Sequence, residues 1–317
     1  MTDKIRVGIV GYGNLGKGVE YAIKQNPDFE LVTIFAKRSE TQIEEMKAYM
    51  GKIDFMLLCI GSSVDLPLKT PEIARLFNTV DSFDTHAKIP EYFASVHEAA
   101  KESDKLAMIA TGWDPGLFSI MRGLMDAALP GGKSNTFWGW GVSQGHSEAI
   151  KRVPGVQAAR AYTIPVDSTL EAVRAGEQRD FTPREMHTRD CYVVLQEGAD
   201  PEAVRRQIIT MPNYFEPTDT TVTFIDMDTF NAEHSTLPHG GFVIRSGVTG
   251  DGSHKDVMEF RLSLESNPEF TASAMLCCCR AASRMYKEGR RGAISIFDVP
   301  LGYFSVRDSA AMRKELL

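Results

Sequence analysis

Short apolar runs alternate with helical patterns through the first third of the chain. The runs have the length of buried strands and cover residues 5–10, 29–36, 55–60 and 106–110. Between them, apolar residues recur at helical spacing, for example Leu15, Val19, Ala22 and Ile23, and again after Pro90. This alternation predicts an α/β fold, a Rossmann-type doubly wound parallel sheet with crossover helices.

The pattern changes after about residue 126. Most apolar runs there alternate polar and apolar positions, as half-buried strands of mixed or antiparallel sheets do, at residues 161–166, 191–195, 221–225, 242–244 and 257–264. We therefore expect a dinucleotide-binding domain over residues 1–118 and an α+β substrate-binding and dimerisation domain over residues 119–265. The segment from about residue 266 to residue 317, which begins with a helical pattern, is expected to pack back on the first domain.

Length and composition support this organisation and narrow the function. A chain of 317 residues exceeds the size at which one hydrophobic core usually stops growing. No apolar run approaches the ~20 residues that span a bilayer. The net charge of −7 comes without a basic run, which argues against nucleic acid as a partner. The first residues lead directly into a strand-like run, with no room for a secretory leader. We expect a cytoplasmic protein that binds neither membranes nor nucleic acid.

The five cysteines do not form a metal-binding pattern. Cys277, Cys278 and Cys279 are consecutive, so on a helix their side chains would diverge by about 100° each instead of converging on one ion. Cys59 and Cys191 lie within apolar strand-like runs. Buried thiols in a reducing compartment account for all five, and we expect no metal site.

A glycine-rich turn lies between the first strand and the first helix, and it consists of Gly11, Tyr12, Gly13, Asn14, Leu15 and Gly16. In a strand-turn-helix context this spacing is typical of dinucleotide binding, with a plain glycine turn as the alternative. Gly11 permits the tight turn, Gly13 lets the backbone approach the pyrophosphate, and Gly16 allows close packing of the helix on the strand. The start of the helix offers N–H groups and a partial positive charge to the phosphates.

The end of the second strand indicates which dinucleotide is bound. An NAD enzyme normally has an acidic residue there, which accepts a hydrogen bond from the ribose 2′-hydroxyl. This chain has Ala36, Lys37, Arg38 and Ser39, whose cations and hydroxyl can bind a 2′-phosphate. We predict NADP, with solvated loop charges as the alternative. Loops after later strands should also line the cofactor's path, and the expected contacts there are Cys59, Gly61, Ser62, Ser82, Phe83, Thr111, Gly112, Trp113 and Pro115.

Two acidic loops follow later strands of the first domain, at residues 81–86 and 111–116. Asp84 and Asp114 in these loops should face the crevice that holds the nicotinamide. A carboxylate there could hold a substrate ammonium group and orient the attached carbon for hydride transfer. The alternative for each aspartate is the capping of a turn.

Seven segments along the chain resemble one known family, at residues 11–16, 111–116, 137–139, 143–147, 211–215, 238–241 and 267–270. On these segments the sequence is similar to the meso-diaminopimelate D-dehydrogenases over essentially its whole length. The resemblance implies that Asp84 and Asp114 contact the D-centre of the substrate. It implies that the pocket around this centre is shaped by Trp138, Gln144 and Gly145, and that the distal L-centre and its carboxylate are bound by Thr163, Arg189, His239 and Asn267.

Several of these residues also have simpler interpretations. Taken singly, Arg189 is compatible with a surface ion pair and His239 with a turn histidine. His146 lies in a glycine-rich loop and is a candidate general acid or base at neutral pH, with a structural role as the equal alternative. Two residues depart from the family's pattern, because Trp140 stands where members have proline and Thr85 where they have asparagine. These departures leave the breadth towards other D-amino acids open.

The resemblance implies an NADP-dependent, reversible oxidative deamination of the D-centre of meso-2,6-diaminopimelate. The products are L-2-amino-6-oxopimelate, ammonia and NADPH, and the enzyme is expected to be a homodimer. One alternative is another NADP-dependent reductase of the lysine or aspartate pathway. Another is an NADP-binding sensor without catalytic activity, because a fold alone does not establish function.

Overall fold

The computed structural model describes residues 4–36 and 42–317. Lys37, Arg38 and Ser39, to which the sequence assigns the 2′-phosphate, lie outside these residues. In the described residues the strands are β1 (Ile5–Val10), β2 (Phe29–Phe35), β3 (Phe55–Leu58), β4 (Asn78–Asp81), β5 (Leu106–Met108), β6 (Lys133–Trp138), β7 (Gly141–Val142), β8 (Val156–Pro165), β9 (His187–Leu195), β10 (Asp219–Phe224), β11 (His239–Thr249), β12 (His254–Leu264) and β13 (Gly292–Ile294).

The α-helices in the same residues are α1 (Asn14–Lys24), α2 (Gln42–Lys47), α3 (Asp65–Ala74), α4 (Ile89–Glu102), α5 (Leu117–Ala128), α6 (Gln144–Lys151), α7 (Asp167–Arg174), α8 (Pro183–Met186), α9 (Pro201–Ile209), α10 (Met227–Glu233), α11 (Asn267–Lys287) and α12 (Ser309–Leu316). The chain divides into two compact units. The first comprises Met1–Ile120 and Pro268–Leu317, and the second Met121–Asn267. From the sequence, the same two boundaries were expected directly after residue 118 and directly after residue 265.

The first unit is built on a parallel sheet with the strand order β13-β5-β4-β3-β1-β2. All four residues of β3 are buried, as in a strand covered on both faces. One face packs against α1 and α11, and the other packs against α3 and α4. The predicted doubly wound Rossmann-type fold is confirmed.

Two strands of this sheet lack the apolar run on which the sequence prediction relied. Strand β4 is Asn-Thr-Val-Asp, and its polar ends are nevertheless buried. Asn78 donates to the Asp54 carbonyl (2.9 Å) and accepts from the Leu106 backbone N–H (2.9 Å), so hydrogen bonds within the sheet compensate its burial. Strand β13 is three residues long and comes from the C-terminal segment, where it pairs with β5.

The second unit contains two sheets. One is mixed, with the order β10-β9-β8-β7, in which only β9 and β10 are parallel. The other is antiparallel, with the order β12-β11-β6. Apolar residues of α6 and α9 cover the first sheet, and α7 packs on Phe137, Phe242 and Ile244 of the second. A mixed or antiparallel substrate domain was expected, and the observed strands extend beyond the predicted runs because their ends are polar or glycine-rich.

None of the helices in residues 4–36 and 42–317 combines the length and apolar character that crossing a membrane requires.

Candidate active site

The turn between β1 and α1 has the geometry of a dinucleotide-binding loop. Gly11 has φ +90°, and a Cβ atom there would lie 2.5 Å from the Cys59 carbonyl oxygen. A Cβ on Gly16 would lie 2.2 Å from the Gly11 carbonyl oxygen. Both positions therefore require glycine. A Cβ on Gly13 would meet no atom within 4 Å, so the chain leaves space for a ligand to approach the backbone there.

Helix α1 begins directly after Gly13, its N-cap residue. Within the described part of the chain no side chain caps this helix, and its first turn has no acidic residue. Its first N–H groups and their partial positive charge are therefore suited to an anion such as a pyrophosphate. Beside the turn, Tyr12 and Asn14 are exposed and Leu15 is half-buried.

Other expected cofactor contacts lie where strands of the first unit end. Ala36 follows β2 and Gly61 follows β3, and both are exposed. Cys59 is buried, and burial raises the pKa of its thiol. It can therefore contact a cofactor only through an uncharged side chain or through its backbone. After β4 and β5, Ser82 is half-buried, whereas the remaining residues of this set are buried, namely Phe83, Thr111, Gly112, Trp113 and Pro115.

Asp84 is exposed and is held by Ser62 through two hydrogen bonds. The Ser62 hydroxyl donates to Asp84 Oδ1 (2.5 Å) and accepts from the Asp84 backbone N–H (2.9 Å). The loop after β3 thus fixes the carboxylate of the loop after β4. A carboxylate oriented in this way can accept hydrogen bonds from an ammonium group.

Asp114 lies in a compact turn between β5 and α5 and is partly exposed. The turn is anchored at its start by Thr111, whose backbone N–H and hydroxyl both donate to the Asp81 carbonyl (2.8 Å each). It is closed by a hydrogen bond from the Leu117 N–H to the Gly112 carbonyl (3.2 Å). The neighbouring Trp113 is buried. Asp114 is therefore the half-buried acidic side chain of a turn that is fixed by hydrogen bonds at both ends.

In the second unit, Arg189 on β9 lies opposite Thr163 on β8. Its Nη1 donates to the Thr163 hydroxyl, while its Nε is buried without a hydrogen-bond partner. Across residues 4–36 and 42–317, no carboxylate forms an ion pair with this guanidinium. Burial lowers the pKa of Arg189 to about 10, so the group is still cationic at neutral pH. Arg189 is half-buried, and a largely desolvated cation without a carboxylate partner can bind the anionic group of a ligand.

Two further residues of the predicted distal set lie close to this pair. Gly141 of β7 pairs with Thr163, and a Cβ on Gly141 would lie 2.3 Å from the Cα of His239. His239 therefore lies next to the strand that adjoins Thr163. The backbone N–H of Asn267 donates to the carbonyl of Leu237, two residues before His239 (2.9 Å). The fold thus gathers all four predicted residues in one region of the second unit.

Both ring nitrogens of His146 have hydrogen-bond partners. Nε2 lies 3.0 Å from the Tyr214 carbonyl, which can only accept, so Nε2 carries the proton. Nδ1 then accepts from the Ser143 hydroxyl at 2.7 Å. Burial, and secondly the charge of Arg189, lower the pKa of His146 to about 4. These contacts favour the structural alternative, in which a neutral His146 holds the exposed Gln144 and Gly145 against the segment that contains Tyr214.

His187 is a residue that the sequence analysis missed. Its Nε2 accepts the backbone N–H of Trp138 (3.0 Å), and the two rings are stacked with centroids 5.7 Å apart. Burial, and secondly the charge of Arg189, lower the pKa of His187 to about 4. A single histidine at the start of a strand has no spacing that would reveal this role. Trp138 itself is 38% exposed, so its ring is available to a ligand.

The predicted site residues are thus divided between the units. The glycine turn, Asp84 and Asp114 belong to the first unit, whereas the residues from Trp138 to Asn267 belong to the second. In the part of the chain that the structure describes, no group of three or more His, Cys, Asp or Glu side chains could hold a metal ion.

Comparison with known proteins places this chain in a family. The profile described as "Diaminopimelic acid dehydrogenase C-terminal domain" matches residues 112–266. The meso-diaminopimelate D-dehydrogenase of Ureibacillus thermosphaericus is 52% identical over 326 residues, covering 99% of this chain and 100% of that protein. The solved structure of the Corynebacterium glutamicum DAP dehydrogenase in complex with DAP is 41% identical, with a TM-score of 0.93 and 100% of both chains covered.

A second solved structure is that of an engineered D-amino acid dehydrogenase bound to NADP+. It is 39% identical, with a TM-score of 0.88, and the match covers 99% of this chain and 100% of that chain. Identity of this extent over whole chains, together with the shared fold, shows common descent. The chain belongs to the meso-diaminopimelate D-dehydrogenase family.

Proposed function

We propose that this protein catalyses the NADP-dependent, reversible oxidative deamination of the D-centre of meso-2,6-diaminopimelate. The products are L-2-amino-6-oxopimelate, ammonia and NADPH. The observation that carries the proposal is the half-buried guanidinium of Arg189, whose buried Nε has no hydrogen-bond partner and which has Thr163 but no carboxylate as its partner in the described residues. A substrate with a second, distal carboxylate supplies the missing anion. Relatives named for this activity and solved with DAP support the same substrate.

The first unit fits NADP as the cofactor, which accepts the hydride when it is bound. The free space at Gly13 and the uncapped start of α1 suit a pyrophosphate. The sequence assigns the 2′-phosphate to Lys37 and Arg38, and the NADP+-bound relative supports that choice of cofactor.

The carboxylates of the two acidic loops in the first unit have a distinct role. Asp84 and Asp114 hold the amino group of the D-centre and orient its carbon for loss of hydride. Deamination also requires an unprotonated amine and a water molecule that attacks the imine. Either a water held by these aspartates or His146 would assist, and the hydrogen bonds to both ring nitrogens of His146 favour the first of these routes.

We propose further that the enzyme acts in the cytoplasm as a homodimer formed through a sheet of the second unit. The absence of a nucleic-acid partner stays a prediction from the charge pattern. Sedimentation equilibrium would test the dimer, and a monomer at micromolar concentration would contradict it.

The direct test of function is to mix the purified protein with meso-diaminopimelate and NADP+ and follow NADPH by absorbance. We expect turnover with the meso isomer, none with the LL isomer, and a strong preference for NADP+ over NAD+. Tight NADP+ binding without turnover would instead favour the alternative that the protein is a non-catalytic NADP-binding sensor. Turnover of a different lysine-pathway substrate, with no activity on diaminopimelate, would favour the reductase.

A further inference from the structure

Asp81, the last residue of β4, is a carboxylate with no exposed surface. Its Oδ1 accepts the backbone N–H groups of Phe83 (3.0 Å) and Ala110 (3.1 Å). Its Oδ2 accepts the hydroxyl of Tyr92 (2.7 Å), which lies 2.7 Å from the hydroxyl of Thr70. Burial raises the pKa of Asp81 to about 6, and the three donors act in the opposite direction. The carboxylate is therefore retained in the core by three hydrogen bonds.

These bonds join two loops that are separate in sequence. Phe83 directly precedes Asp84 in the loop after β4. Ala110 begins the loop after β5, which leads through Thr111 to Asp114. The backbone carbonyl of Asp81 adds two bonds to the second loop, from the N–H and the hydroxyl of Thr111. One residue thus connects the loops that bear Asp84 and Asp114.

The backbone of Ala110 shows that this connection imposes a conformation. Ala110 has φ +55°, in the left-handed region that a residue with a Cβ rarely adopts. Such a conformation persists only where surrounding contacts determine it, and it is concentrated near functional sites. The hydrogen bond from the Ala110 N–H to Asp81 is one such contact.

We infer that Asp81 is a positioning residue for the deamination, which sets the distance between Asp84 and Asp114 by holding their two loops on one carboxylate. The inference depends on the proposed function, because it assigns the paired aspartates to one amino group. The competing interpretation is that Asp81 only satisfies buried N–H groups and stabilises the fold.

The test compares four variants of the full-length enzyme. The serine side chain of Asp81→Ser is too short to reach the backbone N–H groups of both Phe83 and Ala110. The amide oxygen of Asp81→Asn can still accept hydrogen bonds from both. Val80→Ala, on the same strand, removes fully buried apolar volume and serves as the stability control. Tyr92→Phe removes one donor while it retains the ring that stacks on Phe83, and it replaces Asp81→Ser if that variant does not fold.

We expect Asp81→Ser to lower kcat for meso-diaminopimelate by ~10- to 100-fold, because the reacting carbon is misplaced. The KM should change less, because Arg189 still holds the distal carboxylate. Tyr92→Phe should lower kcat by about three- to tenfold, and Asp81→Asn should recover most of the activity. Val80→Ala should lose thermal stability while its kcat per folded enzyme stays unchanged.

Normal kcat in folded Asp81→Ser or Tyr92→Phe, with only a lower Tm, would overturn the inference. An equal loss in Asp81→Asn and Asp81→Ser would also overturn it, because the hydrogen bonds would then not be the cause. If the wild-type enzyme does not oxidise meso-diaminopimelate, the proposed function itself has failed. Hydrogen exchange then still tests the loop connection, which predicts loss of protection at the Phe83 and Ala110 amides in Asp81→Ser.

Discussion

At the scale of single residues, burial and immediate neighbours decide what each polar side chain can do. The sequence could identify Arg189 as a candidate through its resemblance to a family, but it could not exclude a surface ion pair. The pairing of β8 with β9 shows that Arg189 faces Thr163 and lacks an acidic partner in the described residues. His187 was missed, because it is a single polar residue at a strand end. Asp81 was expected in the acidic loop at residues 81–86, but it is the fully buried last residue of β4. Their roles arise from contacts distant in sequence, which no local pattern records.

Arg189→Leu should separate recognition of the distal carboxylate from the chemistry at the D-centre. Leaving a desolvated substrate carboxylate without its partner costs about 3–5 kcal/mol, so kcat/KM for meso-diaminopimelate should fall by more than about a hundredfold. A D-amino acid with an apolar side chain, such as D-norleucine, should be used as well as before or better. Steady-state kinetics on both substrates give the measurement.

The exposed Arg184, which pairs with Asp219, provides the matched control. Arg184→Leu should leave both substrates unaffected. If Arg189→Leu instead reduces activity on both substrates in equal proportion, Arg189 supports the fold or the cofactor, and its assignment to the distal carboxylate is wrong.

His187 should make folding stability depend on pH. Its pKa is lowered from 6.5 to about 4 in the folded state. Between these values the unfolded chain binds a proton that the folded chain does not, so stability falls as the pH decreases through this window. Relative to His187→Gln, the wild-type protein should lose at most about 1.4 kcal/mol per pH unit there. Urea unfolding at several pH values measures this, with the exposed His254→Gln as control. Parallel curves for wild type and His187→Gln would contradict the expectation.

At the scale of secondary structure, the strands with continuous apolar runs were predictable and the short polar ones were not. Residues 5–10 coincide with β1, because this strand is buried almost throughout. Strand β4 has polar residues at both ends, and hydrogen bonds compensate their burial. Asn78 bonds to Asp54 and Leu106, whereas Asp81 bonds to Phe83, Tyr92 and Ala110. The glycine turn before α1 could be identified from the spacing of its glycines, because its requirements are local. Gly11 has a positive φ, and Gly16 lies too close to the Gly11 carbonyl oxygen to carry a Cβ.

Two substitutions in that turn should have opposite consequences. Gly13 has φ −80° and space for a Cβ, so Gly13→Val should fold with normal stability and yet bind NADP+ at least about tenfold more weakly. Gly16→Val should unfold at a markedly lower temperature, because its Cβ would collide with the Gly11 carbonyl oxygen. Thermal melts and NADP+ titrations distinguish the two. Normal NADP+ affinity in Gly13→Val would show that the pyrophosphate does not bind at this turn.

At the scale of the whole molecule, the first unit is assembled from both ends of the chain. Helix α11 supplies much of one core, and β13 extends the sheet at β5. Arg280 of α11 is 4% exposed and donates to both carboxylate oxygens of Asp28 (2.6 and 3.0 Å). It also donates to Asn26 Oδ1 (2.7 Å) and to the Phe304 carbonyl (2.9 Å). A sequence pattern could suggest that the last segment returns, but not this set of contacts.

Arg280→Met should destabilise the protein by about 3–5 kcal/mol, because it leaves the partly buried Asp28 without its cation. Arg284→Met on the same helix removes two bonds to backbone carbonyls and should cost only about 1 kcal/mol. Urea denaturation measures both losses, and kcat per folded enzyme should stay normal in each variant. Equal effects of the two substitutions would show that the ion pair with Asp28 adds nothing to stability beyond ordinary hydrogen bonds.

The return of the C-terminal segment also bears on how the protein is made. During synthesis the glycine turn and the first five strands leave the ribosome early, but α11 and β13 are translated only after the whole second unit. The second unit is continuous in sequence and has its own cores. It can therefore complete its fold while the nucleotide-binding sheet still exposes the apolar surface that α11 will cover. A nascent chain that stalls before residue 268 would carry a folded second unit and an incomplete first unit, and the uncovered face of the parallel sheet would be the surface available to chaperones.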